Sequence, residues 1–136
     1  MKATLTGYGT AALTMLCMDA IWLTLTANVF YRPLLGDTIL PGFRPAPAIA
    51  FYVLYVAGVV IFAIHPALAT SRWTTALTNG ALLGLFCYAT YDLTNQATLK
   101  TWSTIVTVVD MIWGVVMTAC VATAGYLGAS SLARSL

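Results

Sequence analysis

The stretch Pro47-Ala-Ile-Ala-Phe-Tyr-Val-Leu-Tyr-Val-Ala-Gly-Val-Val-Ile-Phe-Ala-Ile-His65-Pro66 runs without an Asp, Glu, Lys or Arg. A helix of about 20 residues rises about 30 Å, the thickness of a bilayer's hydrocarbon core, so this run is predicted to cross a membrane. Working outward, runs of the same kind occupy roughly 7 to 30, 74 to 95 and 102 to 127, and the four together consume nearly all of the 136 residues. The composition agrees: 60% of residues are hydrophobic and 7% charged, where soluble domains carry about a quarter charged. The expected fold is all-α, a polytopic membrane protein built as one domain over residues 1–136, a bundle of four transmembrane helices. Helices satisfy their own backbone in lipid, so the irregular segments belong outside the apolar layer or in a protein-lined cavity.

Between the runs lie turn formers. The first run is expected to stop at Tyr31-Arg32-Pro33, and Gly36-Asp37, Pro41-Gly42 and Arg44-Pro45 form the link to the second. The second should end at His65-Pro66, which places the lone histidine at a helix terminus, and Arg72-Trp73 should open the third at an interface. The fourth should start near Trp102 and end around Tyr126, leaving a short polar tail that includes Arg134. Lys2 before an apolar run imitates a signal peptide, but Asp19 interrupts the run, so it is read as the first membrane helix. Lys2, Arg72 and Arg134 fall on one side and Arg32, Arg44 and Lys100 on the other, so loop charge gives no orientation.

Polarity inside the apolar runs is what needs a reason. Tyr88-Ala-Thr-Tyr-Asp92-Leu-Thr-Asn95-Gln-Ala-Thr-Leu-Lys100 brings a carboxylate, two amides and a lysine to the end of the third run. Asp19-Ala-Ile-Trp22 and Asp110-Met-Ile-Trp113 repeat one pattern in the first and fourth, with carboxylate and indole three residues apart on one helix face. The pattern arises equally from coincidence and from an in-plane pseudo-two-fold repeat. Helix direction puts Asp19, Asp92 and Asp110 in the same half of the bundle, beside Asn28, Tyr52, Tyr55, Tyr88, Asn95 and Gln96. A central charge facing lipid costs roughly 2.5–3.5 kcal/mol on insertion scales, so all three aspartates are expected to turn inward to one polar pocket. Ala76, Gly80, Gly84, Tyr88 and Asp92 recur at steps of four, a small-residue ridge suited to close helix packing within the chain or in a homodimer.

Asp19, Trp22, Tyr88, Asp92, Asn95, Lys100, Asp110 and Trp113 are therefore the candidate ligand- or proton-binding residues. The favoured reading is a protein that binds or moves a small cationic solute or a lipid, coupled to protons through the aspartates. A lipid-modifying enzyme or its accessory subunit is the alternative, with Arg32, Arg44 and Lys100 holding a headgroup phosphate and no catalytic residue assignable. A structural bundle with a polar core is the third, in which Asp92 braces Lys100 and Tyr31 and Trp102 are interfacial belt residues. No nucleophile motif such as G-x-S-x-G occurs, and no cofactor or metal is expected. Cys17, Cys87 and Cys120 lack ligand spacing and are read as buried free thiols. The basic residues are too few and scattered for nucleic acid, which leaves membrane lipids as the expected surroundings.

Asp19-x-x-Trp22, Tyr91-Asp92-Leu-Thr-Asn95-x-Ala97-Thr98-Leu99-Lys100 and Asp110-x-x-Trp113-Gly114 resemble a family of short bacterial four-helix integral membrane proteins of unknown function, over nearly the whole chain. The resemblance implies residence in a bacterial cytoplasmic (inner) membrane and marks these residues as a signature, without implying a reaction. In size the chain also resembles small four-helix multidrug exporters, but their first-helix acid is a glutamate and nothing in them matches the third-run segment.

Overall fold

A computed structural model describes residues 2–134, with the side chains of 133 and 134 left out, so Arg134 contributes only backbone. Four long helices follow one another: α1 over residues 2–35, α2 over Pro45–Thr70, α3 over Trp73–Thr98 and α4 over Thr104–Arg134. By length and composition α1, α2 and α4 can cross a membrane. The less apolar α3, whose 26 residues span about 39 Å, buries Asp92 and satisfies several of its other polar side chains on backbone carbonyls. The Asn79 amide donates to the Phe62 carbonyl of α2 at 3.0 Å, and Thr78, Thr90 and Thr98 donate to their own helix one turn back.

All four helices outrun the apolar windows that announced them, for two reasons. α4 continues as helix past Tyr126 to Arg134, so the expected tail is helical where described. In α1 and α2 neither proline ends the helix. Each follows a π-helical turn, Ala27–Tyr31 before Pro33 and Val60–Ile64 before Pro66. The Arg32 amide reaches back five residues to Ala27, and the His65 amide to Val60. A proline in an α-helix clashes with the carbonyl four residues before it, and the wider turn relieves that crowding. His65 consequently sits exposed inside α2 rather than at its terminus. α1 stops instead at Gly36, whose φ of 49° is open to glycine, and the 37–44 segment folds back with Arg32 donating to the Pro41 carbonyl. Ser71 at φ 52° and Arg72 turn α2 tightly into α3, their amides capping the Leu68 and Ala67 carbonyls.

α4 is the hub, packed on one side by α1 and on the other by α3. Both contacts use steps of four. On α3 the buried positions include Ala76, Gly80, Gly84 and Asp92; on α1 they are Gly7, Ala11, Met15 and Asp19. A Cβ at Gly84 would overlap the Gly114 carbonyl of α4, and one at Gly80 would come within 2.7 Å of the Thr118 carbonyl. Helix backbones approach this closely only where side chains are absent, which is how small residues drive association in lipid. Met15, Val56, Val59, Ile64, Met117 and Val121 fill the dry centre, while Leu13, Phe62 and Phe86 point outward, each more than 60% exposed. So many large apolar residues on the outer surface suit a molecule whose solvent is lipid. Cys17 and Cys120 are on that outer surface and Cys87 is half-exposed, so the thiols are free but not buried as expected.

Candidate functional site

Asp19 ends the buried ridge of α1, and Asp110 enters from α4, which runs antiparallel to it. Between them the Trp22 and Trp113 rings stack with centroids 4.2 Å apart and planes 11° from parallel. The two D-x-x-W copies thus meet face to face, each indole reaching toward the other helix's carboxylate. Trp113 approaches Asp19, which also accepts from the Tyr52 hydroxyl of α2 at 3.0 Å. Trp22 donates at 2.9 Å to the Tyr31 hydroxyl, which in turn donates to Asp110 at 2.5 Å. Among the described residues no cation pairs with either carboxylate.

These groups line a cleft of about 260 Å³. α1 supplies Asp19, Trp22, Leu23 and Tyr31, α2 supplies Phe51 and Tyr52, α3 supplies Tyr88, and α4 supplies Asp110 and Trp113. Gly114 has a local reason: a Cβ there would run into the Tyr88 ring, so the glycine lets Tyr88 lie against α4 and face the cleft. Of the expected site residues, Asp19, Trp22, Tyr88, Asp110 and Trp113 are brought together. Asp92, Asn95 and Lys100 are not part of this lining. Asn95 is near the Tyr91 hydroxyl, and Lys100 is exposed in the turn between α3 and α4. Arg44 is also exposed, Arg32 borders a neighbouring cavity beyond Tyr31, and Asn28 faces outward.

Asp92 differs from the other two carboxylates. It is 0% exposed, lies within electrostatic range of Asp110, and neither of its oxygens finds a hydrogen-bond partner among the described residues. The expected brace to Lys100 is not formed. A buried polar group without a partner costs free energy, and such groups cluster at functional sites.

Tyr31, read from sequence as a belt residue, is instead central. Twelve residues of regular α-helix would place it roughly 120° around the axis from Asp19, whereas one extra residue in the π turn brings it to roughly 20°. The turn ahead of Pro33 therefore moves Tyr31 onto the aspartate face. Trp102 does stay peripheral, its indole donating to Thr107 at 3.0 Å.

Fold and site together define the chain as an all-α membrane protein with a carboxylate–aromatic cleft between its helices. Residues 4–127 match a family described as "Predicted membrane protein (DUF2177)", and the chain belongs to that family. No curated protein and no solved structure matches it.

Proposed function

We propose that the cleft binds a small cationic solute within a bacterial inner membrane that all four helices cross, as a single domain. The observation that carries this is the pairing of Asp19 and Asp110 around stacked indoles, with neutral donors only. A carboxylate in an apolar layer needs a counter-charge, and here the protein supplies hydroxyls and indoles instead of Lys or Arg. Aromatic faces add their own attraction for cations, about 0.5–2 kcal/mol each once desolvated. A proton is the other available counter-charge. Exchange of a proton for the solute at these carboxylates would couple movement of the two.

Calorimetric titration of tetramethylammonium into the protein in lipid nanodiscs tests this. The expected result is saturable binding that weakens about tenfold in Asp19→Asn or Asp110→Asn, equivalent to about 1.4 kcal/mol. Binding that ignores both substitutions, or no saturable binding in the parent, contradicts it.

A further inference from the structure

The cleft does not end at its aspartates. α2 touches α3 through its π turn and its last turns, residues 60–70, while its first half, Pro45–Val59, stands away from α3. The wedge between the two helices is a groove of about 440 Å³ lined by Phe51, Tyr55, Cys87, Tyr88 and Tyr91. Phe51 and Tyr88 belong to both groove and cleft, so the two cavities adjoin across these rings. The chemistry changes along this path. The groove is walled by aromatic rings and a thiol, with Phe51 and Tyr91 exposed at its outer edge, whereas the cleft holds two carboxylates. Among the described residues no basic side chain lines groove or cleft; Arg32 lines a third cavity, which meets the cleft at Leu23 and Tyr31.

We infer that the ligand is an amphiphilic cation, a single alkyl chain bearing an ammonium group, with its head against Asp19 and Asp110 and its chain in the α2–α3 groove. This rests on the cation-binding reading of the cleft and adds the tail and the route. Charge complementarity selects the head, since a phosphate or carboxylate would meet two acids and no base. The groove selects the tail, because its lining offers an alkyl chain ring faces instead of hydrogen-bond partners. Its mouth opens between α2 and α3 beside the exposed Phe51 and Tyr91, so the route assigned to the ligand is sideways, between these two helices. Tyr88, held against α4 by Gly114, stands where head and tail meet.

Cys87 provides the readout, since it lines the groove while Cys17 and Cys120 lie on the outer surface. Wild-type protein in nanodiscs is treated with N-ethylmaleimide, and the modification rate of each cysteine is followed by mass spectrometry. Dodecyltrimethylammonium is expected to slow modification of Cys87 several-fold with Cys17 and Cys120 unchanged. Tetramethylammonium should bind, shown by a change in tryptophan fluorescence, without protecting Cys87; dodecanol, with the same chain and no charge, should not protect it either. Protection by dodecanol equal to that by the ammonium overturns the charged-head assignment. If tetramethylammonium changes the fluorescence but the dodecyl compound leaves Cys87 unprotected, the amphiphile is overturned and the cleft reading survives. If neither ammonium changes the fluorescence, both fall.

Discussion

Replacing Tyr31 by Phe removes one oxygen and breaks two hydrogen bonds at once, the 2.9 Å bond from Trp22 and the 2.5 Å bond to Asp110. Side-chain hydrogen bonds between membrane helices contribute about 0.6 kcal/mol on average and up to about 1.7. The Trp22 bond is neutral and lies within α1, and is given that average. The Asp110 bond joins α1 to α4 and is made to an acid, which puts it at the upper end. Tyr31→Phe is thus expected to cost about 2 kcal/mol, with only an oxygen's worth of packing lost. Tyr8→Phe is the matched control, since Tyr8 makes a single bond, to the Val53 carbonyl at 3.1 Å, and should cost about 0.6 kcal/mol. Reversible unfolding in mixed micelles, driven by sodium dodecyl sulfate and followed by circular dichroism, resolves that difference. A double-mutant cycle with Trp22→Phe isolates the indole bond. If Tyr31→Phe costs no more than Tyr8→Phe, the relay to Asp110 is not formed and Tyr31 is the interfacial residue its sequence position suggests.

Substitutions at three other positions probe separate contacts. Gly84→Leu sets a side chain against the Gly114 backbone, which cannot yield as a flexible side chain could, and should cost about 3 kcal/mol or more, visible as a fall in melting temperature in detergent; an unchanged value would show that α3 and α4 are not this close. Asp19→Asn should be tolerated by the fold, whereas Asp19→Leu should lower stability by about 1–2 kcal/mol in the same unfolding assay, because leucine cannot accept from Tyr52. Asp92→Ala should change stability by less than about 1 kcal/mol in either direction, since loss of an unpartnered buried carboxyl offsets the small void it leaves; a large loss would mean that Asp92 has a partner.

Composition and run length are enough to read the fold class, because 7% charged residues is far below the roughly 25% of soluble domains, and the four-step ridge on α3 is legible because glycines mark it. The equivalent ridge on α1 passed unnoticed since only Gly7 is a glycine; Ala11 and Met15 do not stand out in an apolar helix. Asp19, Trp22, Asp110 and Trp113 were legible as a group through their shared spacing, and Tyr88 through its place on the ridge. Tyr31 differs from its expected belt position, and neither proline ends its helix, for one physical reason. A π turn costs a single extra residue and leaves no compositional trace, yet it turns everything beyond it by roughly 100°. The available clue is a proline inside or at the edge of a long apolar run, two residues beyond the π turn in both Tyr31-Arg32-Pro33 and Ile64-His65-Pro66. Asp92 is expected in the pocket because it shares a half of the bundle with Asp19 and Asp110 and a charge facing lipid is costly. Its helix face is the one packed tightest against α4, and it buries the carboxylate beside the cleft instead of in it.

The central claim is that Trp22 and Trp113 form one wall of a cation site closed by Asp19 and Asp110. Indole nitrogen-15 resonances of the protein in lipid, assigned for Trp22, Trp73, Trp102 and Trp113, test it most directly during a tetramethylammonium titration. The Trp22 and Trp113 signals are expected to shift together along one saturating curve while those of Trp73 and Trp102 stay fixed, and the shifts should disappear in Asp19→Asn/Asp110→Asn. Trp22 and Trp113 signals that remain still throughout, or shifts confined to Trp73 and Trp102, would contradict it.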